Sequence, residues 1–232
     1  MTTSLGLYDL DGVDLINDLD NAFGFCWNFH LVGPVETVGE LYDLYAAHLP
    51  PAALQGRCAT AMCFFKLRDA LEPRLGFKLR PTTPLSAFDA LSVREIYRIV
   101  ERECGFRSFH YAISGLGCLA FFAVPILFLV ALWTAENGDG LIALAAIGAM
   151  ILAGIGYMRA PWHFLAEYET FGDLVCTVTS RNIGNLAGQG ARLGPAEAWT
   201  ALRDIARDHT VIAKELITRD TWLSDPPKKS VA

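Results

Sequence analysis

The sequence predicts an all-α protein in which small cytoplasmic bundles of short amphipathic helices flank a transmembrane helical hairpin. Three observations lead there: two charge-free apolar windows at mid-chain, apolar side chains elsewhere recurring at three- and four-residue spacing, and almost no alternating strand pattern. The 232 residues are 53% hydrophobic and 19% charged, with a mean hydropathy of +0.32. That is too apolar for an ordinary soluble domain and too polar for membrane spans alone. The net charge of −6 gives no electrostatic case for nucleic-acid binding.

In chain order, Val13, Ile16, Leu19 and Phe23 make one apolar stripe, which predicts a helix from about Gly12 to Phe23. Thr37 and Glu40 form a capping box in "TVGE" that opens a second helix, ending near His48 before Pro50 and Pro51. A third runs from about Cys58 to Leu75 with Cys63, Phe64, Leu67 and Leu71 on one face. Ser92 with Glu95 opens a fourth, reaching about Glu103. Beyond the apolar windows, "ETFGDLVCTVTSR" and "GPAEAWTALRDIARDH" predict two more, the latter with Pro195 in its first turn. The Gly-rich run "GNLAGQGARLG" at 184–194 between them reads as a flexible connection.

The windows are Ser114–Thr134 and Gly140–Met158, of 21 and 19 residues. At about 1.5 Å per residue each can cross a hydrocarbon core of about 30 Å. Only "AENGDG" separates them, which forces an antiparallel hairpin. Arg94, Arg98, Arg102 and Arg107 precede the first span and Arg159 follows the second, while the connecting turn carries only acids. The positive-inside rule therefore places both termini in the cytoplasm, with the hairpin in the plasma (inner) membrane. Arg107, Tyr111, Trp133, Tyr157, Arg159 and Trp162 are the expected interface anchors. Neither span carries an Asp, Glu, Lys, Arg or His side chain, which argues against a transporter or channel subunit. Ala145, Ala149 and Ala153 form a small-residue stripe, either the hairpin's own seam or a face for homo-oligomers. The expected division is 1–110, 111–160 and 161–232.

Six cysteines show no metal-ligand spacing, and a cytoplasmic setting keeps them reduced. No two of the five histidines stand at i, i+3 or i+4, so neither a metal nor a cofactor is expected. His110 and His163 flank the spans on one side and can meet there, with Glu167 or Glu169 as carboxylate partner. Before Arg57 there are eight carboxylates and no Lys or Arg; residues 57–107 hold ten basic and six acidic side chains. These stretches either pack with complementary faces or leave an acidic face for a basic partner.

The two sides of the hairpin repeat each other. "TVGELYDL" at 37–44 parallels "TFGDLVCT" at 170–177, and "KLRDALEPRLGFKLRPTTPLS" at 66–86 parallels "ALRDIARDHTVIAKELITRDTWLS" at 201–224. These residues resemble the acyl carrier protein family, in a permuted order. "DLDGVDLINDLDNAFGF" followed by "TVGELYDL" looks like the second to fourth carrier helices, and "AMCFFKLRDALEPRLGFKLRPTTPLSAFDAL" like the first helix, its loop and the approach to a second. The likeness covers most of 8–106 and roughly 168–224, and the whole is similar to uncharacterised bacterial membrane proteins with carrier-like pieces around a hydrophobic hairpin. The resemblance implies a phosphopantetheine-bearing Ser in Asp-Ser-Leu. Here Asp9 stands at that position in one copy and Ala90, within "DAL", in the other; Ser86 and Ser92 are near but out of register. The expected function is thus a membrane-anchored docking or scaffold module without the prosthetic group. Asp11, Asp14, Asp18 and Asp20 would face an unknown cytoplasmic protein with a basic surface. The alternatives are a genuine acyl carrier, a lipid-modifying membrane enzyme or a small transporter or channel subunit.

Overall fold

A computed structural model describes residues 3–7, 10–25, 35–49, 57–137 and 140–225. Among them are nine α-helices and one two-stranded ribbon. The helices are α1 (Leu10–Phe23), α2 (Val38–Ala46), α3 (Ala59–Leu75), α4 (Val93–Arg102), α5 (Gly115–Glu136), α6 (Gly140–Arg159), α7 (Phe171–Ser180), α8 (Ile183–Gly188) and α9 (Pro195–Asp208). The two predicted capping boxes close: the Thr37 hydroxyl accepts from the Glu40 N–H and the Ser92 hydroxyl from the Glu95 N–H; Thr170 forms a third with Asp173. Two features differ from expectation. The start of the Gly-rich run, with Ile183 before it, forms α8, because Ile183 and Leu186 are buried between α1, α3 and α7. Tyr111–Ile113 (β1) and Trp162–Phe164 (β2) pair antiparallel at the foot of the hairpin, with Ala112 opposite His163.

The segments on either side of the hairpin share one core. Leu15, Leu41, Tyr45, Leu67, Leu71 and Ile96 from the first are fully buried with Phe171, Leu174, Leu186 and Leu202 from the second. The repeat explains how they interlock. An extended loop after α3 crosses the start of α7: the N–H groups of Phe171 and Gly172 donate to the carbonyls of Thr83 and Pro81, and Leu85 N–H donates to Glu169, at 2.8–3.0 Å. The loop after α9 grips α2 in the same way, with Val38, Gly39 and Leu223 N–H donating to the Thr221, Arg219 and Glu36 carbonyls, each at 2.9 Å. The glycine of each Thr-x-Gly motif is what lets the loop approach. A Cβ on Gly172 would lie 2.9 Å from the Pro81 oxygen, and one on Gly39 2.7 Å from the Arg219 oxygen.

The equivalence extends to α4 and α1. α4 packs on α3 as α1 packs on α9. Ile96 and Val100 are fully buried, as are Leu15 and Leu19, and each helix is followed by a left-handed glycine, Gly105 (φ 66°) or Gly24 (φ 77°). The chain therefore holds two copies of one unit, α3–loop–α4–α7 and α9–loop–α1–α2. The hairpin is inserted in the first, between α4 and α7.

The hairpin helices are α5 and α6. Gly117–Glu136 and Gly140–Arg159 are each 20 residues long, with mean hydropathies of 2.4 and 2.2, and only 11% of each window is buried. Both are long and apolar enough to cross a membrane. Ala143 and Ala146 are buried on α6, as is Ala131 on α5; Ala145 is exposed, and Ala149 and Ala153 are half-buried. The small-residue stripe is thus split between the seam and the outer surface.

Candidate functional site

The acidic helix, the two acceptor-equivalent positions and the polar cleft between α7 and α9 are the candidate sites. On α1, Asp11 and Asp14 are exposed. Asp20 is not: it is buried, and its Oδ1 accepts from the Tyr45 hydroxyl at 2.6 Å. It lies one turn from Ile16 and Phe23, so the helix period turns it into the core and removes it as a docking charge. Burial and the neighbouring Asp20 push the Tyr45 phenol well above its usual range, keeping it a donor. Asp18 is half-buried and engaged by His209 Nε2 at 3.0 Å, a hydrogen bond that holds its carboxyl below the usual range despite burial. The acidic stretch also meets Arg219, which pairs with Asp43. Among the described residues, the ion-pair partners found for this stretch, His209 and Arg219, are in the chain after the hairpin.

Asp9 lies outside the described residues. Ala90 is exposed in the turn preceding α4 and offers no hydroxyl. Ser86 is exposed in a short 3-10 turn; Ser92 is committed to its cap, its Oγ bonding Glu95 Oε2 at 2.7 Å.

The α7–α9 cleft encloses about 180 Å³. Arg181 donates to Asp208 at 2.7 Å, Arg207 to Glu167 at 2.7 Å, Ser180 to Asp204 at 2.8 Å, and Lys214 also pairs with Asp204. Its cations are neutralised by its own acids. Burial raises the Cys176 thiol, with Asp204 and Asp173 adding to the shift, so no thiolate nucleophile is prepared there. Among the described residues no group of three His, Cys, Asp or Glu side chains is placed to hold a metal.

His110 and His163 do not form the expected pair. His163 is exposed opposite Ala112, whereas His110 turns to Arg181 and to Asp208 at 3.5 Å. Burial and the Arg181 charge hold His110 below the usual imidazole range, outweighing Asp208. Of the expected anchors, Arg107 is bound within the bundle: its guanidinium donates to Asn21 at 2.8 Å and its N–H to Asn182 at 2.6 Å. Tyr111 and Trp162 stack at the hairpin foot, ring centroids 3.7 Å apart. Tyr157 contacts Phe121, Arg159 is exposed at the end of α6, and Trp133 is exposed near the opposite end of the hairpin.

Sequence reasoning missed Arg94. Its guanidinium lies over the Trp162 ring at 4.6 Å and donates to the Met158 carbonyl at 2.5 Å. In the sequence it is one positive charge among several, placed one turn before Arg98.

Comparison of the chain with protein-family models, with curated proteins and with solved structures returns no match.

Proposed function

We propose that this protein is a non-enzymatic docking module, anchored in the plasma membrane by α5 and α6 with both termini and the helical bundle in the cytoplasm. The observation that carries the reading is the hairpin: two helices holding 20-residue spans of hydropathy above 2, with only 11% of each window buried, inserted at mid-chain. A core helix of a soluble domain would bury such a surface. The bundle is a degenerate carrier-like unit in two copies. Ala90 lacks the hydroxyl that a phosphopantetheine arm requires, and the α7–α9 cleft spends its charges on itself. Docking then falls to the exposed acids of α1, Asp11 and Asp14, facing a basic partner.

Membrane anchoring is tested by alkaline carbonate extraction of membranes. Retention in the pellet is expected, and release to the supernatant would refute it. Docking is tested by purification in mild detergent of the wild type and of a D11K/D14K double variant; a partner retained equally by both refutes the assignment to α1. The genuine-carrier alternative predicts a phosphopantetheine mass adduct at Ser86 or Ser92 after coexpression with a phosphopantetheinyl transferase. No adduct is expected.

A further inference from the structure

We propose that the foot of the hairpin binds the headgroup of an anionic membrane phospholipid, with its phosphate on Arg94. The proposal rests on the membrane-anchored reading above. Arg94 lines a recess of about 280 Å³ with Tyr111, Ile113, Tyr157, Met158 and Trp162. The guanidinium is fixed in orientation by the Trp162 face below it and by the Met158 carbonyl, which together occupy one face and one N–H. Trp162 is itself held flat by Tyr111, at an interplanar angle of 4°. A pre-oriented guanidinium with N–H groups to spare suits a phosphate, which takes two of them in parallel. The rest of the lining is apolar or aromatic and suits a glycerol and the first acyl methylenes. Met158 and Tyr157 belong to the last turn of α6, so the recess falls at headgroup depth when that helix spans the bilayer.

Two further observations point to an anion. Among the described residues, no ion pair within 4.0 Å involves Arg94, Arg98, Arg102 or Arg159. The duplication supplies an internal control. Arg94, Arg98 and Arg102 recur one turn apart on α4, the helix that packs against β2. The corresponding positions of α1, registered on Gly105 and Gly24, are Val13, Asn17 and Asn21. Only the copy that meets the hairpin carries the basic stripe. Capping of α6 by Arg94 accounts for one N–H of one arginine; it leaves the stripe and the recess unexplained.

The test uses the full chain in mild detergent, presented with equimolar phosphatidylglycerol and phosphatidylcholine and read by native mass spectrometry. The wild type is expected to retain one phosphatidylglycerol preferentially, and Arg94→Gln to reduce that retention about fivefold, the effect of one arginine at a lipid surface. Equal retention of the two lipids by the wild type overturns the proposal, as does a folded Arg94→Gln protein with undiminished preference. Displacement of the lipid by millimolar inorganic phosphate would show a free-phosphate site and overturn the lipid assignment. Photo-crosslinking of the wild type with a headgroup-labelled phosphatidylglycerol needs no variant: adducts within 94–98 or 157–162 support the site, and adducts confined elsewhere overturn it. Carbonate extraction separates the outcomes, since a chain released from membranes fails the anchoring reading, whereas an integral chain without lipid preference fails only this one.

Discussion

Adding a methyl group to Gly39 or Gly172 tests whether the two loop grips hold the bundle together. In Gly172→Ala the new Cβ meets the Pro81 carbonyl oxygen at 2.9 Å, and in Gly39→Ala it meets the Arg219 oxygen at 2.7 Å and the Arg219 Cβ at 2.9 Å. Both obstacles include backbone, so the loop must retreat. Retreat weakens the N–H bond that each glycine donates to that same carbonyl, worth about 1 kcal/mol. Overpacking adds about 1–3 kcal/mol, and the gain in helix propensity returns up to about 1 kcal/mol. The net loss is about 2 kcal/mol, or about 4–8 °C in melting temperature for a chain of this size. The assay is a thermal melt of each full-length variant in detergent, followed by far-UV circular dichroism. Gly12→Ala is the control, because a Cβ there meets nothing within 4 Å; it should leave the melt unchanged or raise it slightly. Melts of both test variants within about 1 °C of wild type would refute the grip argument. A loss at one glycine alone would refute the equivalence of the two copies.

Gly184→Ala should be the more damaging glycine substitution, because its Cβ would fall against the Phe23 carbonyl group at the end of α1; a loss of about 3 kcal/mol or more in the same melt is expected. Tyr45→Phe removes the donor to the buried Asp20 carboxylate and should cost about 1.5–3 kcal/mol, with Tyr45→Phe/Asp20→Asn losing less than the sum of its singles in a double-mutant cycle. Acid should destabilise the bundle in two stages. His110 has a lowered folded pKa, so its contribution is present above about pH 6.5 and falls away as pH drops below that value toward the folded pKa. Asp18 is also lowered, so its contribution persists above the usual carboxylate range and is lost as pH falls through its folded pKa. Melts from pH 8 to pH 4 should show the first decline disappear in His110→Gln and the second shrink in His209→Gln; an unchanged profile in either refutes that assignment.

What was legible in the sequence follows from local chemistry. Thr37–Glu40, Ser92–Glu95 and Thr170 satisfy helix N-termini with side chains a few residues away, so a short window contains the whole signal. The two apolar windows are equally self-contained. The ribbon is three residues a side, too short for any periodicity, and α8 forms in a Gly-rich run because tertiary burial of Ile183 and Leu186 overrides propensity. The interlocking of the two flanking segments runs through backbone hydrogen bonds, which carry no residue signature except the two motif glycines. In the candidate site, the burial of Asp20 was legible, since its spacing from Ile16 and Phe23 puts it on the buried face. Asp18 was not, because its partner His209 is 191 residues away.

The duplication gives the charge pattern a meaning that net charge does not. α1 and α4 hold the same structural place in their copies, with the same buried pair on the core side and the same left-handed glycine behind them. On their outer faces they have diverged in opposite directions. α4 has Arg94, Arg98 and Arg102 where α1 has Val13, Asn17 and Asn21, and α1 has Asp11 where α4 is preceded by Ser92, while Asp14 and Glu95 keep an acid in both copies. Core packing asks for neither difference, since both sets lie outside the shared core. The hairpin supplies the asymmetry, because it enters only the copy that contains α4. A helix brought to an anionic membrane surface gains about 1 kcal/mol from each arginine it presents, and α1, in the copy without the hairpin, carries no arginine at all.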